Sequence, residues 1–139
     1  MLRRLFLAFF LLFLFGAGPS MAAVVLIAHA DNSEGVVDHE EVKRIYLGKK
    51  THWNDDTPIV PVILKKGEIH EDFLDEYLDR TSHRFVSYWR QMVFTGKGVP
   101  PKSFASEADL IAFVAATPGA VGYVSDTKPL TGVLTLTIR

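Results

Sequence analysis

The stretch ATPGAVGYV, residues 116–124, decides how the rest of the chain is read. Thr117, Pro118 and Gly119 end a helix, because proline disfavours helical backbone at the residue before it and glycine loses the most freedom in a helix interior. Residues 120–124 then read as a strand. Upstream, Ser106 and Asp109 open the helix that this stop terminates, and Leu110, Ile111 and Val114 give it an apolar face. Downstream, a polar turn over 126–129 leads into GVLTLTI, residues 132–138. There Val133, Leu134, Leu136 and Ile138 serve a half-buried sheet, with Thr135 and Thr137 facing outward.

The same grammar extends towards the N-terminus. TGKGVPPKSF, residues 95–104, carries two glycines and two prolines and reads as a loop. Before it, Phe85, Tyr88, Trp89, Met92 and Val93 recur at helical spacing from Ser82, and Ile69, Phe73, Leu74, Tyr77 and Leu78 mark another amphipathic helix. IVPVIL, residues 59–64, is an apolar run that Pro61 demotes to an edge or irregular strand. Asp38 and Glu41 resemble a capping box for a helix carrying Val42, Ile45 and Tyr46 and stopped by Gly48. VVLIA, residues 24–28, suits a strand covered on both faces. Strands separated by helices predict an α/β sandwich, a mixed sheet flanked by helices.

Ahead of that domain, Arg3 and Arg4 precede a Leu/Phe run over 5–15, then Gly16, Pro19 and small residues. This is the form of a secretory signal peptide over residues 1–22, cut at Ala22 or Ala23, and the run is shorter than the roughly 20 residues of a membrane span. The expected product is periplasmic or secreted, without stable membrane insertion after cleavage. It is one domain over 23–139, in which 13 of the chain's 15 basic residues face all 16 acidic ones, for a formal charge of −3. Such a balance provides no general field for nucleic acid, so an anion site must be built locally. With no cysteine there is no thiol nucleophile, disulfide or lipid-attachment site.

Three segments in order, IYLGKKTHWNDD (45–56), SYWRQMVFTGKGVPP (87–101) and ATPGAVGYV, resemble the second lobe of periplasmic phosphate-binding proteins of ATP-binding-cassette importers. The likeness runs over 24–138 and is to the short, single-lobe members. It implies a single periplasmic-binding-protein-like lobe. In full-length members two lobes close like a hinge on an oxyanion and present it to a membrane transporter. Their second lobe grips the ligand with a basic residue and a Ser-Gly-Thr turn that opens a helix. Here that turn is VILKKGEIHEDF, residues 62–73, which lacks Ser-Gly-Thr but keeps Lys65, Lys66 and Gly67 as the candidate ligand-binding residues. Glu68, Glu71 and Asp72 crowd the helix start and complement its positive end, a charge that also opposes an anion. A single lobe also needs a second jaw, from a dimer or another chain, to bury a small ligand.

Plain structural roles fit the other marked residues: Trp53 as a packing lid over the first strand, Tyr88 and Trp89 in the core, Gly119 and Gly122 for backbone geometry. Catalysis, cofactor and metal are not expected. Gly48-Lys49 and Gly96-Lys97 lack the spacing of a phosphate loop, and His39-Glu40 and His70-Glu71 are followed at the fourth position by Lys43 and Leu74 instead of a second histidine. The five histidines are scattered, which assigns them surface or capping roles. Two functions stay open: a solute-binding protein for phosphate or a related oxyanion, partnered by a transporter or second lobe, and an interaction or sensory module that kept the lobe without its ligand. The second would use TGKGVPPKSF and KKTHWNDD (49–56) as contact surfaces.

Overall fold

Strand β1 (Val24–His29) organises the sheet. The computed structural model describes residues 22–139; the expected signal peptide lies outside the described residues except for Ala22, which with Ala23 leads directly into β1. Two strands flank β1 and run antiparallel to it: β5 (Ala120–Ser125), with Tyr123 opposite Leu26, and β6 (Val133–Thr135), with Leu134 opposite Ala28. On the far side of β5 lies β3 (Val60–Leu64), parallel to it, and β4 (Lys102–Phe104) closes that edge parallel to β3. The order β4-β3-β5-β1-β6 is a mixed sheet, and with helices on both faces it is the expected α/β lobe.

Successive residues of β5 point to opposite faces and show how the layers pack. At Gly122 a Cβ would sit 2.7 Å from a Leu110 methyl, so its absence lets α4 (Glu107–Ala116) lie close on the sheet. Close packing, more than backbone geometry, is the role of this glycine. Tyr123 faces the other way and stacks on Phe73, ring centroids 3.8 Å apart. Phe73 ends α2 (Glu68–Phe73), which continues as one π-helical segment, Leu74–Leu78, before Asp79 turns the chain at φ +52°. The wider turn buries Leu74, Tyr77 and Leu78 together. Tyr46, at the end of α1 (His39–Tyr46), meets Phe73 edge-on, and its hydroxyl lies 3.1 Å from the Val62 carbonyl oxygen and 3.2 Å from that of Val121.

Side-chain caps start three of the helices. Asp38 accepts from the Glu41 N–H at 2.7 Å, Thr81 from Arg84 at 3.2 Å to open α3 (Ser82–Phe94), and Ser106 from Asp109 at 3.1 Å. The box at α1 is half-formed, because the Glu41 carboxylate is turned to Lys50. Helix α3 is anchored at one place. The Trp89 indole donates to the Tyr46 carbonyl at 3.1 Å and the Tyr88 hydroxyl to that of Leu47 at 2.6 Å. Gly48, at φ +74°, leaves the room that the indole fills, since a Cβ there would lie 2.9 Å from the ring.

Four further expectations are corrected. β3 is an interior strand despite Pro61: the Val60 N–H points to β5, so the missing N–H of Pro61 faces the β4 side, where pairing begins only at Val62. The loop 95–104 contains β4, because Lys102–Phe104 finds the open edge of β3. The last strand is divided at buried Leu136, whose N–H donates to Leu26; beyond it β7 (Thr137–Ile138) pairs with β2 (Val36–Val37) in a separate ribbon. His70 is buried and neither a surface nor a capping residue.

Candidate functional site

Lys65, Lys66 and Gly67 form the turn between β3 and α2, and all three are exposed. The Lys65 N–H donates to the Phe104 carbonyl at 2.9 Å, which ties the turn to β4. Gly67 reverses the chain at φ +108° and accepts the Glu71 N–H through its carbonyl, 3.0 Å. No side chain caps this helix, and among the described residues the N–H groups of Glu68, Ile69 and His70 meet no protein acceptor. Glu68, Glu71 and Asp72 stand exposed around them.

Below the turn, His70 and Tyr123 form a buried polar pair. The Leu64 N–H donates to the Tyr123 hydroxyl at 3.1 Å, and that hydroxyl meets His70 Nδ1. Because the phenol already accepts one bond, its proton is best spent on Nδ1, which places the imidazole proton on Nε2. Burial lowers the His70 pKa, and the charge of Glu71 opposes that shift. Burial likewise holds Tyr123 well above the ordinary phenol value, against the Leu64 hydrogen bond. Both groups are therefore neutral at pH 7.

Lys65 and His70 also line a cleft of about 500 Å³ between α3 and the β3–β4 edge; Lys66 and Gly67 are not among its lining residues. Sequence reasoning passed over Arg90, Ser82 and Ser103, which line the same cleft. No local pattern in the sequence marks them, because the cleft forms only where α3 meets β3 and β4, elements far apart along the chain.

The KKTHWNDD turn is held elsewhere. Lys50 bridges Glu41 and Glu34, the latter at 3.6 Å, and the Glu34 side chain is only 6% exposed. Trp53 is buried, with its indole N–H on the Gly119 carbonyl at 3.1 Å. Among the described residues no group of three or more His, Asp or Glu can hold a metal ion, and no helix is long and apolar enough to cross a membrane.

A family model, the PBP superfamily domain, matches residues 21–137. The chain belongs to the PBP superfamily. No curated protein matches it in sequence. Solved structures share the fold of this PBP-superfamily lobe. A phosphate ABC transporter substrate-binding protein with bound phosphate from Clostridium perfringens is 21% identical, with TM-score 0.67 over 84% of this chain and 45% of its own. PstS from Borrelia burgdorferi is 14% identical, TM-score 0.67, covering 85% and 47%. An ABC-type phosphate transport receptor from Vibrio cholerae is 15% identical, TM-score 0.59, covering 84% and 46%. The chain thus spans under half the length of each of these proteins, the extent of one lobe.

Proposed function

We propose that this lobe acts in solute binding outside the cytoplasm, after removal of residues 1–22, and takes phosphate or a related oxyanion at Lys65, Lys66 and Gly67. The observation that carries this reading is the uncapped start of α2. Its free N–H groups sit beside two lysines, and backbone N–H groups at a helix start favour an anion. The solved relatives named for phosphate support the choice of oxyanion. An exposed turn leaves most of the ligand in water, so tight capture requires a second jaw, supplied by another chain or by a membrane transporter. The lobe is a binding protein and not an enzyme.

The test is titration calorimetry of orthophosphate into protein recovered from the periplasm, with sulfate as control and Lys65→Ala/Lys66→Ala as the paired variant. Saturable heat that disappears in the variant supports the reading. Equal heat in both proteins, or none at millimolar phosphate, refutes free-standing capture at this turn. A second reading, an interaction module, is favoured by Phe94, the last residue of α3, and Val99, within the loop that follows, which are 91% and 85% exposed. Its test is cross-linking in intact cells from a photoreactive residue at position 99; a partner captured there and lost with Phe94→Ser supports this reading.

A further inference from the structure

The cleft between α3 and the β3–β4 edge has the makings of a site for a ligand unlike inorganic phosphate. Its volume, about 500 Å³, falls within the roughly 300–1,000 Å³ of small-molecule sites. Apolar side chains make most of the wall: Phe85, Val86, Trp89 and Val93 from α3, with Ile63 and the Pro100-Pro101 pair opposite. The wall is also firm. Phe85, Trp89 and Pro101 are buried, and the Trp89 indole is fixed by its bond to Tyr46 and by the lack of a Cβ at Gly48 and Gly98.

Two cations open on this apolar surface. Neither Lys65 nor Arg90 has a carboxylate partner among the described residues, although Lys50 and Lys128 elsewhere do. No Asp or Glu lines the cleft. Ser82, Ser103 and the Nε2–H that the Tyr123 bond leaves on His70 add further donors on lining residues. An inorganic phosphate in such a cleft leaves oxygens against hydrocarbon without partners, and a neutral apolar molecule leaves both cations unused. A ligand with one anionic head and an apolar body satisfies both halves at once.

We infer that the cleft binds an amphiphile with a single anionic head, a medium-chain carboxylate or alkyl phosphate, with the head at Lys65 and Arg90 and the chain along Val86, Trp89 and Val93. The site shares only Lys65 with the proposed oxyanion turn and does not depend on that proposal.

The test is calorimetry and Trp fluorescence with decanoate and decyl phosphate below their micellar range, against decanol and orthophosphate. Both anionic amphiphiles are expected to saturate one site, with decanol and orthophosphate weaker by about tenfold or more, since a charge-assisted contact is lost in one and the buried chain in the other. Arg90→Gln should weaken decanoate by about tenfold for the same reason, and Val86→Asp should abolish it by placing a carboxylate in the cleft. Arg90 is exposed and Val86 half-exposed, so both variants keep the core, and an unchanged thermal midpoint verifies it. The preferred head, carboxylate or phosphate, is read from the ratio of the two affinities. Decanoate and decyl phosphate binding no tighter than decanol, or equally to Val86→Asp, overturns the inference. Lys66→Ala separates the two sites: orthophosphate lost with Lys66 while decanoate fails to bind leaves the oxyanion turn standing and removes the cleft. Decanoate dependent on Arg90 and indifferent to Lys66 supports the cleft alone.

Discussion

Gly119→Ala should be among the most damaging single-methyl changes in this chain. At φ +81° an L-residue pays about 1–2 kcal/mol for left-handed backbone. The added Cβ would also lie 2.1 Å from the Pro58 carbonyl oxygen; that oxygen is main chain and the backbone fixes the Cβ position, so no rotamer relieves the contact. Parting them to ordinary contact moves the Gly119 carbonyl, which accepts the Val60 N–H at 3.0 Å and the Trp53 indole at 3.1 Å. Losing those bonds adds about 1 kcal/mol each, for a total of about 3–4 kcal/mol. Gly35→Ala is the control: φ is +63°, but nothing lies within 4 Å of the new methyl, so only the backbone cost of about 1–2 kcal/mol is expected. For a domain of this size each kcal/mol lowers the thermal midpoint by about 4 °C, giving drops of about 12–16 °C and about 4–8 °C. Urea and thermal unfolding followed by far-UV circular dichroism measure both. If Gly119→Ala loses no more than Gly35→Ala, the close approach of the 117–119 turn to Pro58 is wrong.

Lys50→Met removes the cation between Glu34 and Glu41 and strands nearly buried charge, so a loss of about 3 kcal/mol is expected in urea unfolding, partly recovered by adding Glu34→Gln. Asp38→Ala removes the α1 cap and should lower stability by about 1 kcal/mol in the same assay. His70 is held neutral by burial, so its folded pKa lies below the unfolded value of about 6.5; the unfolded chain takes up that proton first, and stability falls as pH drops below about 6.5. The urea midpoint measured from pH 8 to 5 should decline, and less steeply in His70→Gln. At the other end, buried Tyr46 and Tyr123 and Tyr77, pushed up to about 12, stay protonated in the fold, so stability is lost as pH rises above about 10. A base titration of the folding midpoint, flatter in Tyr77→Phe, checks this.

The elements that local chemistry encodes were legible in the sequence. β1 and β5 are apolar runs bounded by turn residues, and α1 and α4 announce themselves by Asp38 and Ser106 at one end and Gly48 and Thr117-Pro118 at the other. The Lys65-Lys66-Gly67 turn was legible for the same reason, as a break between an apolar run and a helical period. Arg90, Ser103 and His70 were not. Each lies on a different element, and the cleft they line exists only once β4 has paired with β3. Nothing in Lys102–Phe104 marks a strand, because its structure comes from the edge it joins.

What the sequence determined by itself was therefore the set of amphipathic and apolar segments, their stops and the α/β class, since these depend on the periodicity and backbone limits of neighbouring residues. Only the tertiary structure decided that Pro61 can sit inside a sheet, that the last strand splits at Leu136, and that His70 is buried against Tyr123. The first two depend on which hydrogen-bonding edge of a strand meets a partner, β4 for Pro61 and β1 for Leu136, and the third on a side-chain contact between α2 and β5; each partner lies tens of residues away.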